Sequence, residues 1–170
     1  MKRYIDVKGS RVVDDKGNLI GRIEDCLIDI KRLKVCSYII RIKNLHSNFN
    51  LIVLKDLDEY RDVFILKGNL YKIDYHIFKK HEDMLVKNYI GMETIDTKRK
   101  WIGNLKDLIF DETDGRIKAL ICKIGFFEDI LDGRKVIIVD EKTIFEKERI
   151  VVDENYMDIT NNVSLKKIIR

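Results

Sequence analysis

The sequence predicts an all-β protein made of two tandem copies of one small barrel, each of five or six mostly antiparallel strands, with little helix. Two observations carry this. The chain repeats itself: residues 9–42 lie on residues 91–124 without a gap, at a constant offset of 82 (91 minus 9). Gly9/Gly91, Asp14/Asp96, Lys16/Lys98, Ile20/Ile102, Gly21/Gly103, Asp25/Asp107, Asp29/Asp111, Ile39/Ile121 and Ile42/Ile124 coincide. The apolar residues also arrive in short runs rich in Ile, Val and Leu, cut at close intervals by Gly, Asp and Asn, which is how strands and tight turns read. A unit this long closes its own core, unlike the short repeats of a solenoid, and so few strands around one core do best as a bent, closed sheet.

The elements follow in order. Residues 11–14 lead into Asp15, Lys16, Gly17 and Asn18, where Gly17 can take the positive φ of a tight hairpin. Residues 19–28 return, and Gly21 within them reads as a bulge or a point of close approach, with Gly103 its structural counterpart in the second copy. A turn over residues 29–34 delivers a strand over 35–42, and its counterpart over 111–116 carries Gly115 where the first copy has Leu33. Strands over 51–54 and 63–66 are matched by 136–139 and 150–152, with Gly133 as a turn before them. Phe64 falls on Ile150, an offset of 86 (150 minus 64), so the second copy has gained residues in between. Polar segments over 55–62 and 140–149 fit a single helical or 3₁₀ turn. With no Pro in the chain, the turns rest on Gly, Asp and Asn.

The domain boundary is placed after residue 82: residues 1–82 form the first domain with its connecting segment, and 83–170 the second. The connector, residues 71–88, is neither Gly/Ser-rich nor Pro-rich. Alternation of Tyr71, Ile73, Tyr75 and Ile77 predicts a strand with one apolar face, and these rings, with Phe78, are expected to pack between the barrels and make them one rigid unit. Each copy is small for independent stability, so inter-copy contact, with homodimerisation as a further possibility, is expected.

Composition narrows the function classes. At 45% hydrophobic and 36% charged, the chain is that of a soluble globular protein. No stretch approaches the ~18 uninterrupted apolar residues of a membrane span, and the start lacks the apolar core of a signal peptide, so a cytoplasmic protein without membrane insertion is expected. Cys26, Cys36 and Cys122 are an odd set with no two-residue spacing, which argues against a disulfide framework and a zinc site. They are expected to be buried thiols, with Cys26 and Cys36 facing each other across a hairpin. Residues 1–82 carry 17 basic and 12 acidic side chains and residues 83–170 carry 16 and 17, so the first copy is the basic one.

Chemistry is sparse. His46, His76 and His81 lie outside the repeated core, and no further ligand at fixed spacing turns them into a metal site. Residues 111–115 resemble the start of a calcium loop, yet Cys122 stands where the closing Glu belongs. The repeated carboxylates Asp25/Asp107 and Asp29/Asp111 are read as turn-side acceptors of backbone N–H groups rather than as catalysts. No phosphate loop, nucleophile elbow or dinucleotide fingerprint is present. No catalytic residue, cofactor or metal is therefore assigned. Aromatic residues are the better leads: Trp101 stands in the first hairpin of the second copy where the first has Leu19, Phe126 and Phe127 fall in a loop, and Tyr71 and Tyr75 lie in the connector. Aromatic side chains on rigid loops are common interface anchors.

The pattern Gly-x₃-Val/Ile-Asp-x₅-Ile-Gly-x-Ile/Leu-x-Asp-x₂-Ile/Phe-Asp, running from Gly9 to Asp29 and again from Gly91 to Asp111, resembles the PRC-barrel domain. That domain forms the cytoplasmic part of the photosynthetic reaction-centre H subunit and the C-terminal half of the ribosome maturation factor RimM. Two copies in one chain look most like the tandem PRC-barrel proteins of spore-forming bacteria. The resemblance implies the barrel fold and a non-enzymatic adaptor that docks a protein partner in sporulation or envelope-related assembly. Its alternative is a ribosome- or RNA-associated factor that uses the basic first barrel, with Arg11, Lys16, Arg22, Lys31, Arg32, Lys34, Arg41 and Lys43 as phosphate contacts.

Overall fold

The Asp14 carboxylate sets the first hairpin: its Oδ1 accepts the N–H groups of Lys16 (3.0 Å) and Asn18 (2.7 Å), while Gly17 supplies the turn with a φ of 86°. The computed structural model describes residues 1–42, 49–60, 63–125 and 134–160. In chain order these form β1 (Lys2–Arg3), α1 (Tyr4–Val7), β2 (Arg11–Val13), β3 (Leu19–Asp29), β4 (Lys34–Ile42), β5 (Phe49–Val53), β6 (Leu57–Tyr60), β7 (Val63–Leu66), β8 (Tyr71–Ile73) and α2 (Tyr75–Lys80). The second half contributes β9 (Glu93–Asp96), β10 (Trp101–Phe110), β11 (Ile117–Lys123), β12 (Arg134–Ile138), β13 (Ile144–Phe145) and β14 (Arg149–Val152). Single 3₁₀ turns cover Leu54–Asp56, Glu82–Met84 and Val86–Asn88. No helix among the described residues is long and apolar enough to cross a membrane.

The strands make two curled sheets of seven, in the orders β6-β7-β2-β3-β4-β5-β8 and β12-β11-β10-β9-β14-β13, with β1 added to the second on β10. The pairings β2–β3, β3–β4 and β4–β5 recur as β9–β10, β10–β11 and β11–β12, all antiparallel. One parallel pair in each sheet, β2 with β7 and β14 with β9, departs from a simple meander. The register repeats too: Arg11 faces Arg22 and Val63, and Glu93 faces Asn104 and Arg149. Each long strand bulges at the same place, between Ile23 and Asp25 and between Leu105 and Asp107. A bulge re-aims the side chain beside it; here it is the repeated aspartate.

Gly21 and Gly103 are points of close approach. A Cβ on Gly21 would lie 2.4 Å from the Arg41 carbonyl oxygen, and one on Gly103 2.6 Å from that of Lys123. Gly133 lies outside the described residues. One apolar cluster runs through both halves, including Val12, Ile23, Tyr38 and Phe64 from the first and Val86, Leu105, Leu120 and Ile150 from the second.

The connector differs from its expectation. Only Tyr71–Ile73 is strand, and Tyr75–Lys80 is helical. Asp74 stops the strand because its carboxylate accepts the His76 N–H at 2.8 Å, an N-cap, and Lys79 and Lys80 sit in the last turn. Of the rings and chains expected to pack between the halves, Phe78 is buried against Ile39 and Leu85, whereas Tyr71, Tyr75 and Ile77 face outward. Cys26 and Cys122 are buried, but Cys36 is exposed and Cys26 faces Tyr38 across the hairpin.

Candidate interaction site

The two halves are fastened by reciprocal contacts that local sequence spacing does not reveal. Segment 3–7, at the start of the first half, lies against the second sheet, and segment 85–89 lies against the first. Arg3 pairs with Ile109 in the β1–β10 ladder, while Leu85 bridges Leu27 of β3. The Ile5 N–H donates to Asp107 Oδ1 at 3.2 Å, and the Lys87 N–H donates to Asp25 Oδ1 at 3.3 Å. These are equivalent contacts exchanged between the halves, since Ile5 and Lys87, like Asp25 and Asp107, are one offset apart. Between the turns, Val35 N–H donates to Gly115 O and Ile117 N–H to Leu33 O, both at 2.8 Å, around a Lys34–Arg116 bridge. The halves thus meet about a local two-fold arrangement through the turns read earlier as simple hairpins.

Asp25 and Asp107 are therefore acceptors of backbone N–H groups, as expected, but they stand within strands and not at turns. Each also accepts from its own neighbour, Cys26 N–H at 2.8 Å and Leu108 N–H at 2.9 Å. The second oxygen separates them. Asp107 Oδ2 receives Arg3 Nε at 2.9 Å; Asp25 Oδ2 is buried without a hydrogen-bond partner, and Tyr4 Oη donates to its Oδ1 at 3.1 Å instead. The change follows from sequence: the residue equivalent to Arg3 in the second half is Leu85. Burial pushes both carboxyls above their ordinary value, an effect countered at Asp107 first by the Arg3 charge. Burial also pushes the Tyr4 hydroxyl up and lifts the Cys122 thiol to about 11, where its Sγ lies 3.5 Å from Thr94 Oγ1. These groups are committed to holding the fold. Asp29 and Asp111 do serve turns, accepting Lys31 N–H at 3.0 Å and Thr113 N–H at 2.9 Å.

The outward aromatic residues occupy different sheets. Trp101 opens β10 opposite Ile95 and is 44% exposed; Leu19, its counterpart, is exposed in the same position. Tyr71 lies on β8, an end strand of the first sheet, at 47% exposure, and Tyr75 follows at the start of α2 at 52%. Tyr71 and Tyr75 thus share one end of the first sheet, while Trp101 belongs to the second. Phe126 and Phe127 lie outside the described residues. Among the described residues no group of three or more His, Cys, Asp or Glu is placed to hold a metal ion.

The basic residues of the first half are spread over turns and strands, and several are engaged. Arg41 pairs with Glu24 through Nε at 2.9 Å, Arg22 donates to the Gly9 carbonyl at 2.8 Å, and Arg32 lies 3.7 Å from Asp29. Lys43 lies outside the described residues.

Residues 81–160 match the family model of the PRC-barrel domain, so a PRC-barrel domain is present in the second half. No curated protein matches the chain.

Proposed function

We propose that this protein is a non-enzymatic interaction module in which both halves are PRC barrels, joined as a tandem pair, and that it docks a protein partner as an adaptor. The observation that carries this reading is the division of labour in the side chains. The deeply buried carboxylates of both halves are spent on pinning the halves together, whereas Trp101, Tyr71 and Tyr75 are held outward on a β scaffold. Rigid aromatic side chains give large contact area at low entropic cost. A cytoplasmic setting and an assembly task in sporulation or the envelope are what the resemblance to tandem proteins of spore formers suggests. Ribosome or RNA binding has less support, because phosphate contacts need free cations and Arg41, Arg22 and Arg32 are partly committed to the protein's own groups.

Affinity capture from source cells with the wild type, Trp101→Ala and the Tyr71→Ala/Tyr75→Ala pair tests the reading. Loss of a specific partner with at least one variant is expected, with thermal stability changed by less than about 1 kcal/mol because the side chains are exposed. Identical partner sets from all three proteins would remove these residues from the account.

A further inference from the structure

A cavity of about 420 Å³ opens where the first sheet meets the 111–116 turn of the second half. Its walls combine Leu54, Leu57, Phe64 and the ring of Tyr38 with the polar groups of Thr113 and Lys55 and the carboxylates of Asp58, Glu59 and Glu112, so three acidic groups face one cation. Tyr38 is only 2% exposed, its ring packs on Phe64 at 5.9 Å between centroids, and its hydroxyl makes no hydrogen bond among the described residues. Asp25 Oδ2 is the one buried side-chain oxygen without a partner among the described residues, so the Tyr38 hydroxyl is not sealed off and opens onto the cavity that Tyr38 lines.

The second half shows that the fold does not require this cavity. The β6–β7 pairing of Asp58 with Ile65 and Glu59 with Phe64 recurs as Ile144 with Val151 and Phe145 with Ile150. Leu120 stands at the position of Tyr38 and Ile30 at that of Glu112, each at the offset of 82. The place of the polar group is thus taken by Leu120, Phe145 and Ile30, of which the first two are buried and the third packs on the core. Three coordinated differences, Tyr38 for Leu120, Glu59 for Phe145 and Glu112 for Ile30, separate an apolar corner from an open, acidic, hydroxyl-bearing one. The chain also shows what the carboxylates hold: the Lys2 ammonium pairs with Glu59 and lies 3.8 Å from Glu112.

We propose that this cavity is a binding site for an organic ammonium with a short apolar body. Its cation takes the place of Lys2 between Glu59 and Glu112, its carbon chain lies along Leu54, Leu57 and Phe64, and its polar hydrogens reach the Tyr38 hydroxyl oxygen. The volume is within the range of small-ligand pockets. A free alkylamine and the lysine side chain of a polypeptide share this chemistry. The site is separate from Trp101, Tyr71 and Tyr75, so its failure would leave the docking role of those residues standing.

The test is an NMR titration of the full chain with pentylamine, pentanoate, and a blocked Gly-Lys-Gly peptide with and without Nε-acetylation. Pentylamine is expected to perturb resonances around Tyr38 and Phe64 in a saturable way and pentanoate is not. Tyr38→Phe should weaken amine binding about five- to tenfold, the worth of one hydrogen bond, and the Glu59→Gln/Glu112→Gln pair by at least about tenfold. Lys2→Ala should tighten it by freeing the two carboxylates. Binding of the lysine peptide but not its acetylated form assigns the site to polypeptide lysines; binding of pentylamine alone assigns it to free amines. Tyr38→Phe keeps the test clean, since the hydroxyl supports no other contact and the second half folds with Leu120 there. Equal binding of pentanoate, no binding of either amine, or unchanged affinity in both carboxylate and tyrosine variants would overturn the proposal.

Discussion

Asp25 and Asp107 occupy the same bulge in the same strand of the two halves, yet one has both oxygens partnered and the other has one left over. Asp107 pairs with Arg3; the equivalent of that arginine in the second half is Leu85, which bridges Leu27 and offers no charge, and Asp25 receives the Tyr4 hydroxyl instead. A similar divergence separates Leu33 from Gly115, which hold φ of 50° and 76° in the same turn, and Tyr38 from Leu120. The backbone plan has stayed common to both halves while single side chains at the junction have diverged. The lesson is that the shared elements define the scaffold, and the places where the halves differ are where this chain has acquired properties of its own.

The comparison breaks most forcefully at the turns. A Cβ on Gly115 would stand 2.0 Å from the Val35 carbonyl oxygen, in backbone of the other half. Gly115→Ala should therefore cost about 3 kcal/mol through the clash and the strained φ together, read as a fall in the urea midpoint. Next in size is Arg3→Ala, which leaves Asp107 buried without its ion pair. Breaking a buried pair costs about 3–5 kcal/mol, and because the Arg3 side chain is 26% exposed the expected loss is nearer about 2 kcal/mol. A change smaller than about 0.5 kcal/mol would show that the pair contributes little.

Asp25 sharpens the comparison through pH. Burial raises its carboxyl above the ordinary 3.8. The folded state therefore binds the proton more tightly than the unfolded one, and the contribution to stability is complete below that ordinary value and is lost as pH rises through the folded pKa. Asp25→Asn removes the titration while keeping an oxygen for the three donors. Relative to wild type, the variant should gain stability between pH 4 and pH 7 in urea unfolding; a difference independent of pH would contradict this. Smallest of all is Leu33→Gly. It relieves a left-handed residue with a Cβ, a gain of about 1 kcal/mol, but gives up the side-chain packing of Leu33 on the core, so the midpoint should stay within about 1 kcal/mol of wild type.

The pairing of neighbouring strands was legible because the offset of 82 places equivalent turn residues and apolar runs together, so the Asp14 turn could be read twice, as Asp14 and Asp96, although Arg99 stands where the first copy has Gly17. The connector was misread because alternation of Tyr71, Ile73, Tyr75 and Ile77 is a short signal, and Asp74 ahead of a Lys79, Lys80 end was the helix cue that outweighs it. Burial of Tyr75 and Ile77 was misjudged for the same reason: the helix buries only Phe78. The true role of Asp25 and Asp107 was hidden by distance along the chain, since their partners Lys87 and Ile5 lie 62 and 102 residues away. One clue did exist, a repeated carboxylate set in the middle of apolar strands. The parallel β2–β7 and β14–β9 pairs likewise join segments too far apart for local pattern to show.

Reciprocal capping requires the two halves to unfold together, and differential scanning calorimetry of the full chain tests this most directly. A single transition whose calorimetric and van't Hoff enthalpies agree is expected, with Arg3→Ala lowering the midpoint of that one transition as a whole. Two resolved transitions, with Arg3→Ala shifting only one of them, would contradict the account.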